Sequence, residues 1–299
     1  MNDHRIALTV FHDPGCPWGY SALPALRTIE WRYGTQLDWR LVMIGLAETA
    51  TQYVDRGYTP TRSAQGWIGF RRFGMPFAPE PKAEMSATAR ACRAVVAARL
   101  ADPASGAEWR VLRALQLANF TTPLLLQDDD QLRAVLAAVP GVDADAIVAA
   151  LDTDAVTAAY EADRAETRRA AGTPGSLQGK TANTDGAERY TAPSVVLEVD
   201  GHRLEATGFQ PVEAYDVLVA NLDPTLARRA PASSALEVLD GLASSPHGPD
   251  ATTAEVAAIM TAGNDGPDRD AAERELVALV GDGRARRIGM GDGAVWLRA

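Results

Sequence analysis

The segment DPGCPWGY, residues 13–20, constrains the fold of this 299-residue chain more than any other part of its sequence. It follows the alternating apolar run RIALTVF, residues 5–11, which predicts a β-strand. It also begins a span that predicts a helix, with Pro17 in the first turn and Gly34 at the C-terminal end. Pro24 lies inside this span and predicts a kink. The segment is therefore a junction between a strand and a helix.

Cys16 lies at this junction, where the helix begins. A cysteine at a helix N-terminus faces unpaired backbone N–H groups and the positive end of the helix dipole, and both favour the thiolate. Such positions lower a cysteine pKa from about 8.5 to ~3.5–7.5. We therefore expect a reactive thiol with a lowered pKa, the alternative being an inert buried cysteine. Gly19 stands three residues later, where a redox motif would have its second cysteine.

The rest of the chain predicts a strand at 36–44 that completes a βαβ unit, so the first two strands should be parallel. Residues 45–75 predict an irregular loop over the site, and residues 173–190 a polar loop. Two strands flank Asp200-Gly201, which is a strong hairpin signal. Apolar spacing predicts helices in the remaining segments, which are 86–101, 105–120, 128–139, 143–172 and 211–222.

This order, β-α-β, a helical insertion, then β-β-α, predicts an α/β protein with a thioredoxin-like fold, the alternative being another α/β sandwich. We assign residues 1–60 and 175–230 to the thioredoxin-like domain and 61–174 to a helical insertion domain. Residues 232–299 follow a Pro/Ser linker and predict three helices and a hairpin, the outline of a small C-terminal winged-helix-like domain. A generic helical cap with a small hairpin is the alternative.

Two further residues belong to these predictions. Thr252 or Thr253 should cap the second helix of the C-terminal domain, with Glu255 placed for a capping box. Pro193 precedes a strand at the position where thioredoxin folds hold a cis-proline beside the active cysteine. An ordinary trans bond is commoner, but together with Cys16 this position predicts a cis Ala192–Pro193 bond.

The motif DPGCPWGY, the helical insertion, RYTAPSVVL and GFQPVEAYDVLVANLDP together resemble DsbA/FrnE-like thiol-disulfide oxidoreductases over about residues 5–230. This branch is also similar to 2-hydroxychromene-2-carboxylate isomerases and kappa-class glutathione transferases. The resemblance implies that Cys16 is the nucleophilic thiol and Pro193 the cis-proline. It implies that the insertion is a helical lid.

Gly19 departs from the dithiol members of this family, in which that position holds the resolving cysteine. Three functions stay open: monothiol exchange through Cys16, small-thiol-dependent isomerase or transferase chemistry, and a non-catalytic interaction module. In the first, Cys16 forms a mixed disulfide that a second thiol resolves. Cys92 either resolves it instead or, as its alanine-rich helical surroundings favour, lies on a buried apolar face.

Several residues near the thiol are candidates for substrate binding. Pro17 and Trp18 follow Cys16, and Ala192 would expose its backbone to a bound peptide or thiol. His12 ends the first strand and could deprotonate the thiol or pair with it, the alternative being an ordinary loop residue with its hydrogen bonds satisfied. The following aromatic residues could form a lid wall or the core of the insertion domain: Trp67, Phe70, Phe73 and Phe77.

The charged residues of the chain limit the classes of binding partner that we expect. The net charge of −10 disfavours nucleic acid and anionic membranes as partners. Residues 232–299 carry 11 acidic and 6 basic side chains, so the winged-helix outline does not predict DNA binding, although Arg284, Arg286 and Arg287 cluster there. A protein contact, a homodimer contact or packing over the active site is expected instead.

Two cysteines make no disulfide framework and fit a reducing cytoplasm. The four histidines, at positions 4, 12, 202 and 247, are scattered, so we predict no metal site. The N-terminus shows no signal core, and no segment has the ~18 apolar residues of a membrane helix. We therefore expect a cytoplasmic enzyme without a bound cofactor, whose co-substrate is a low-molecular-weight thiol and whose substrate is a thiol or disulfide.

Overall fold

A computed structural model of the chain describes residues 5–263 and 265–299; His4, named above, lies outside them. The first strand is β1 (Ile6–His12), and β2 (Leu37–Met43) runs parallel to it, as predicted. The predicted hairpin is confirmed as β5 (Ser194–Val199) and β6 (His202–Thr207). The four strands form one mixed sheet in the order β2-β1-β5-β6, with β5 antiparallel to β1.

The helix after β1 is divided in two, α1 (Pro17–Ser21) and α2 (Leu23–Tyr33). Pro24 lies in the first turn of α2, where its missing N–H needs no partner. The predicted kink is therefore a complete break, and it falls at Ala22, before the proline.

Residues 45–75 were predicted as a loop, and this is wrong. The segment forms α3 (Ala50–Asp55) and α4 (Pro60–Phe70), followed by a 3-10 turn at Arg71–Phe73. The side chain of Thr59 accepts the N–H of Arg62, and Pro60 occupies the first helical position. These are strong helix-start signals, and the glycines and threonines around them obscured the helices.

The insertion contains more and shorter helices than the periodicity predicted. Thr153 caps a new helix within the predicted span 143–172, because its side chain accepts the N–H of Val156. The predicted polar loop 173–190 contains one helical turn and two short strands, β3 (Thr181–Ala182) and β4 (Arg189–Tyr190). The helices here are α5 (Ala89–Ala101), α6 (Ala107–Thr121), α7 (Asp129–Leu136), α8 (Ala144–Ala150), α9 (Asp154–Thr167) and α10 (Pro174–Leu177).

After α11 (Val212–Leu222) comes the last segment, which is residues 232–299. Its described residues form three helices and a three-stranded sheet in the order β7-β9-β8. Thr252 caps the second of these helices in a full capping box with Glu255, which confirms that prediction. The elements are α12 (Ala235–Leu242), β7 (Ala251–Thr252), α13 (Thr253–Met260), α14 (Arg269–Gly281), β8 (Ala285–Met290) and β9 (Gly293–Arg298).

The last segment is joined to the rest of the molecule by buried polar contacts. The guanidinium of Arg113 on α6 pairs with both carboxylate oxygens of Glu255, at 2.6 and 2.8 Å, and with Asp250 at 2.8 Å. Arg27 on α2 donates to the carbonyl oxygen of Gly248. A buried cluster that includes Trp31 of α2 continues into the last segment. None of the helices in the described part of the chain has the length and apolar composition needed to cross a membrane.

Candidate active site

Cys16 is the N-cap residue of α1, and its carbonyl oxygen accepts the N–H of Tyr20. Its Sγ donates to the carbonyl oxygen of Ala192 at 3.1 Å. The Ala192–Pro193 peptide bond is cis. Because β5 begins at Ser194 and pairs with Phe11 of β1, this bond is held beside the end of β1 from which Cys16 follows. The sheet thus brings Cys16, Ala192 and Pro193 together across 176 positions of sequence.

The prediction of a lowered thiol pKa is wrong for this structure. Cys16 is 7% exposed, and burial raises the pKa of its thiol to about 11. The backbones of Gly19 and Trp18 and the charge of Arg189 act in the opposite direction, while the carboxylate of Asp13 raises the pKa further. The helix N-terminus therefore stabilises the thiolate as expected, but desolvation outweighs it. At rest Cys16 is a protonated thiol.

Asp13 organises the loop that carries Cys16, and the sequence analysis did not single it out. Its buried carboxylate accepts the N–H groups of Gly15 and Leu46, both at 2.8 Å, and the hydroxyl of Thr88 at 3.0 Å. The thiol of Cys92 is a fourth donor, at 3.4 Å. Burial raises the pKa of this carboxyl group, while these hydrogen bonds lower it. The four donors come from three different parts of the fold, so Asp13 holds them to the active-site loop.

His12 packs against Gly19 of α1 and does not line the cavity described below. Its side chain is fully buried, Nδ1 accepts the N–H of Asp13 at 2.9 Å, and Nε2 has no hydrogen-bond partner among the described residues. Burial lowers the pKa of His12 to about 4, so the imidazole is neutral near pH 7. The substrate-binding role expected for His12 is therefore not supported by its position.

The imidazole of His12 occupies the space that a side chain at Gly19 would need. A Cβ placed on Gly19 would lie 2.5 Å from Cε1 of His12 and 3.0 Å from each ring nitrogen. A resolving cysteine at this position would therefore require His12 to move. The histidine and the glycine are therefore complementary in packing.

Cys92 is buried in the main hydrophobic core, on α5, and its thiol donates to Asp13. Both cysteines are free. Burial and the nearby carboxylate raise the pKa of Cys92 well above its ordinary value. The position of Cys92 agrees with the prediction that it lies on a buried apolar face, and not with a role as the resolving cysteine.

A cavity of about 480 Å³ opens over Cys16, and Pro17 and Trp18 line it as expected. Its walls come from α3, α4 and the segment that leads into α5. Four basic side chains and one carboxylate line it, in a chain whose net charge is −10. The charged residues are Arg56, Arg62, Lys82, Glu84 and Arg189, and the aromatic ones Trp18, Tyr53, Tyr58, Trp67 and Phe70.

The predicted aromatic wall is partly correct. Trp67 and Phe70 line the cavity. Trp18, which is 41% exposed, packs edge-on against Phe70 with ring centroids 4.8 Å apart, and its ring lies 5.8 Å from that of Phe73. Phe77 instead belongs to a buried cluster that also contains Tyr20. The wall over the thiol is therefore continuous with the core beneath α1.

Sequence reasoning missed the basic residues of the cavity. Arg189 lies beside the cis-proline segment and acts on the Cys16 thiol through its charge. Arg62 is on α4 and Arg56 directly follows α3, in a segment that was predicted as a loop, so their side chains could not be assigned to a face. Lys82 carried a usable signal, because it is one of only two lysines among 29 basic residues.

Comparison with known proteins identifies the family. The model of the DSBA-like thioredoxin domain matches residues 7–192, more than half of the chain. The chain belongs to this family. The match confirms the resemblance that the DPGCPWGY motif indicated, and it includes the loop of Cys16 but ends at Ala192. No curated protein matches the chain significantly.

Solved structures similar to this DSBA-like protein support the same fold. A candidate protein disulfide isomerase from Nitrosomonas europaea is 20% identical, with a TM-score of 0.55 over 74% of this chain and 99% of that one. The cytosolic disulfide reductase DsbM from Pseudomonas aeruginosa is also 20% identical, with a TM-score of 0.52 over 73% of this chain and 100% of that one. DsbM was also solved with GSH. At these identities the likeness shows the fold alone.

The similar chains cover about three quarters of this DSBA-like protein. Among its described residues, no three His, Cys, Asp or Glu side chains lie together as a metal site would need. The chemistry that this site can supply from its own residues is that of a single thiol. That thiol sits beside a backbone carbonyl, at the base of a cationic and aromatic cavity.

Proposed function

We propose that this DSBA-like protein is a thiol-disulfide oxidoreductase that works as a monothiol through Cys16. One observation carries the proposal: the Cys16 thiol lines the cavity and is hydrogen-bonded to the carbonyl oxygen of Ala192 before the cis-proline. The only other cysteine, Cys92, is buried in the main core, where its thiol donates a hydrogen bond to Asp13. The site therefore has a thiol that a substrate can reach and no partner thiol within its motif.

The proposed cycle has two exchanges. The Cys16 thiol gives its proton to solvent, and the thiolate attacks one sulfur of a disulfide RSSR. A Cys16–SR mixed disulfide forms, and the other half leaves as a thiolate that takes up a proton. A second thiol then attacks the mixed disulfide, so that Cys16 is reduced and a new small disulfide is released.

The residues around Cys16 support these steps. The backbones of Gly19 and Trp18 stabilise the thiolate once it forms. When the S–H proton leaves, the carbonyl oxygen of Ala192 loses its donor and can accept an N–H from a bound peptide-like substrate. The raised pKa makes the thiolate scarce at rest but more nucleophilic, since nucleophilicity rises with thiol pKa.

The cavity volume of about 480 Å³ lies in the range of small-molecule sites, so we propose a low-molecular-weight thiol or its disulfide as the co-substrate. The structure of DsbM with GSH supports this class of compound. We further propose that the reaction takes place in the cytoplasm. Two unpaired cysteines and the description of DsbM as cytosolic support that compartment.

The test is intact-mass spectrometry of the reduced protein after incubation with oxidised glutathione and with cystine. We expect one adduct per chain in wild type and in Cys92→Ala, removed by added thiol, and none in Cys16→Ser. Adducts that persist in Cys16→Ser would contradict the assignment of the nucleophile. Absence of any adduct in wild type would instead favour the non-catalytic interaction module.

A second candidate function is favoured by the walls of the cavity. Five aromatic and four basic side chains suit an aromatic anion, and the thiol protonated at rest suits chemistry in which Cys16 is not oxidised. A small-thiol-dependent isomerase or transferase would therefore bind reduced glutathione without exchange. Calorimetry with Cys16→Ser tests this second function, because lost binding of reduced glutathione excludes it, whereas retained binding fits both functions. Turnover of oxidised glutathione with an added second thiol, through one adduct on Cys16, supports the first function instead.

A further inference from the structure

Among the four basic residues that line the cavity, Lys82 is the only lysine, and its ammonium bonds neutral oxygen atoms. It lies on the segment between Phe77 and α5, and its side chain is half-buried. Its Nζ donates to Oδ1 of Asn119 at 2.5 Å and to the carbonyl oxygen of Leu124. The Trp67 ring lies 5.8 Å away. Two of the three ammonium donors are thus used, and the side chain still lines the cavity.

No carboxylate in the described part of the chain forms an ion pair with Lys82. Glu84 lines the same cavity, but its Oε1 accepts from Gln127. Burial lowers the pKa of Lys82 to about 7. An ammonium removed from water without a counter-ion is costly, and a ligand carboxylate would offset that cost.

We propose that the cavity binds a disulfide that carries a carboxylate on an aromatic or other planar group, and that Lys82 binds this carboxylate against Trp67. The inference rests on the proposed function, since the disulfide bond must meet Cys16, which lines the same cavity. The aromatic walls receive the planar group. The excess of basic over acidic residues in the cavity attracts the anion.

Two reagents that differ in their carboxylates test the proposed interaction between Lys82 and the ligand carboxylate. 5,5′-Dithiobis(2-nitrobenzoate) is an aromatic disulfide with two carboxylates, and 4,4′-dithiodipyridine is an aromatic disulfide with none. Both react by the same step: the Cys16 thiolate attacks a sulfur, a Cys16–S–S–aryl bond forms, and an aryl thiolate leaves. The released aryl thiolate is followed by absorbance, and mass spectrometry confirms the site.

The rate constants are measured in a Cys92→Ala background for the native lysine, Lys82→Gln, Lys82→Arg and the control Lys180→Gln. Lys180 is the only other lysine and does not line the cavity. We expect Lys82→Gln to slow the carboxylate reagent about tenfold, the scale of one hydrogen bond to a charged group. The neutral reagent should change less than about twofold, and Lys180→Gln should leave both rates unchanged.

The ratio of the two rates also has a pH signature. Since Lys82 loses its proton near pH 7, the preference for the carboxylate reagent should fall between pH 6 and pH 8. In Lys82→Gln and in Lys82→Arg this preference should not change with pH. It should be high at every pH in the arginine variant and low at every pH in the glutamine variant. Because the same Cys16 thiolate attacks both reagents, the titration of Cys16 cancels in the ratio of the two rate constants. The other charged or titratable residues of the cavity are kept in every variant: Tyr53, Arg56, Tyr58, Arg62, Glu84 and Arg189.

Three outcomes overturn the inference. Equal slowing of both reagents in Lys82→Gln would assign Lys82 a structural role. The same selective slowing in Lys180→Gln would show a general effect of charge. Failure of both reagents to label Cys16 in the native protein would overturn the proposed function and this inference with it, whereas the first two outcomes leave the proposed function standing.

Discussion

At the scale of single residues, Cys16 shows two opposing influences. The helix N-terminus could be predicted from the sequence because it depends on neighbours in the chain. The burial that raises the pKa to about 11 could not, because the residues packed around Cys16 include Ala170, Tyr190 and Ala192, which lie far along the chain. The helix N-terminus and burial by distant residues therefore set the pKa of the Cys16 thiol together, and burial has the larger effect.

The contact between His12 and Gly19 predicts that Gly19→Cys is destabilising. The new side chain would overlap the imidazole, and overpacking of this kind costs about 1–3 kcal/mol. In the double variant with His12→Ala the overlap is relieved, so the loss should be smaller than the sum of the single losses. Urea unfolding of the four proteins measures this coupling.

The matched control for that prediction is Gly281→Cys, because a Cβ at Gly281, the last residue of α14, would meet no atom within 4 Å. It should show no coupling to His12→Ala. Strictly additive losses for Gly19→Cys and His12→Ala would contradict the packing account.

The buried His12 also predicts how stability changes with pH. Unfolded His12 binds a proton below about pH 6.5, whereas the folded imidazole stays neutral until about pH 4. The unfolded state therefore binds more protons in this window, and the free energy of unfolding falls as the pH falls from 6.5 to 4, by about 3 kcal/mol. The contribution is fully present above pH 6.5.

Urea unfolding at pH 7 and pH 4.5 tests this prediction. The decrease in stability should be clearly smaller in His12→Gln than in wild type. It should be retained in His202→Gln, since His202 is exposed on β6. An equal decrease in wild type and His12→Gln would show that the imidazole is not held neutral.

At the scale of elements, the turn between β8 and β9 supports the wall over the active site. Oδ1 of Asp292 accepts the N–H of Phe77 at 2.7 Å, and its Oδ2 pairs with Arg71 at 2.6 Å. The N–H of Asp292 donates to the carbonyl oxygen of Phe77. Gly291 has a φ of 53°, and a Cβ there would lie 2.6 Å from the Phe77 backbone. The last segment thus fixes the residues that follow α4.

Asp292→Ala should loosen this wall without unfolding the chain. The loss of the acceptor for Phe77 and of the pair with Arg71 predicts faster amide hydrogen exchange across residues 71–77, with little change in β1 and β5. Hydrogen-exchange mass spectrometry measures both regions. Asp282→Ala, an exposed aspartate beyond α14, is the control and should leave residues 71–77 unchanged. Unchanged exchange in Asp292→Ala would contradict the supporting role.

The sequence predicted elements best where the signal was local. The strand 5–11, the Asp200-Gly201 hairpin and the Thr252 cap each depend on a few adjacent residues, and each is observed. The helices in 45–75 were missed because the glycines and threonines around them obscured the helix-start signals at Thr59 and Pro60. The contact of Asp292 with Phe77 spans 215 positions and has no local signal.

At the scale of the whole molecule, Arg113 joins the insertion helices to the last segment. Its guanidinium is buried, and both partner carboxylates lie in the last segment, at Glu255 and Asp250. A linker composition before residue 232 predicted a separate domain, and such composition says nothing about buried pairs across the boundary. The thioredoxin-like order of elements, by contrast, follows from the succession of strands and helices alone.

Arg113→Met should lower the free energy of unfolding of the whole chain by about 3–5 kcal/mol, because it leaves two carboxylates of a buried network without their cation. Urea unfolding followed by tryptophan fluorescence measures this loss. Arg133→Met, which removes two ion pairs on the exposed surface, with Asp130 and Asp145, is the control and should cost less than about 1 kcal/mol. Equal small losses in both variants would mean that the two parts are not coupled through Arg113.

The most direct test of the account is the pH dependence of Cys16 alkylation by iodoacetamide in Cys92→Ala, with the site identified by mass spectrometry. Burial of a working thiol predicts that Cys16 is labelled and that the rate rises about tenfold per pH unit through neutrality toward a pKa of about 11. A rate that is already constant above pH 8 would contradict burial as the dominant influence. No labelling of Cys16 at any pH would contradict its role as the reacting thiol.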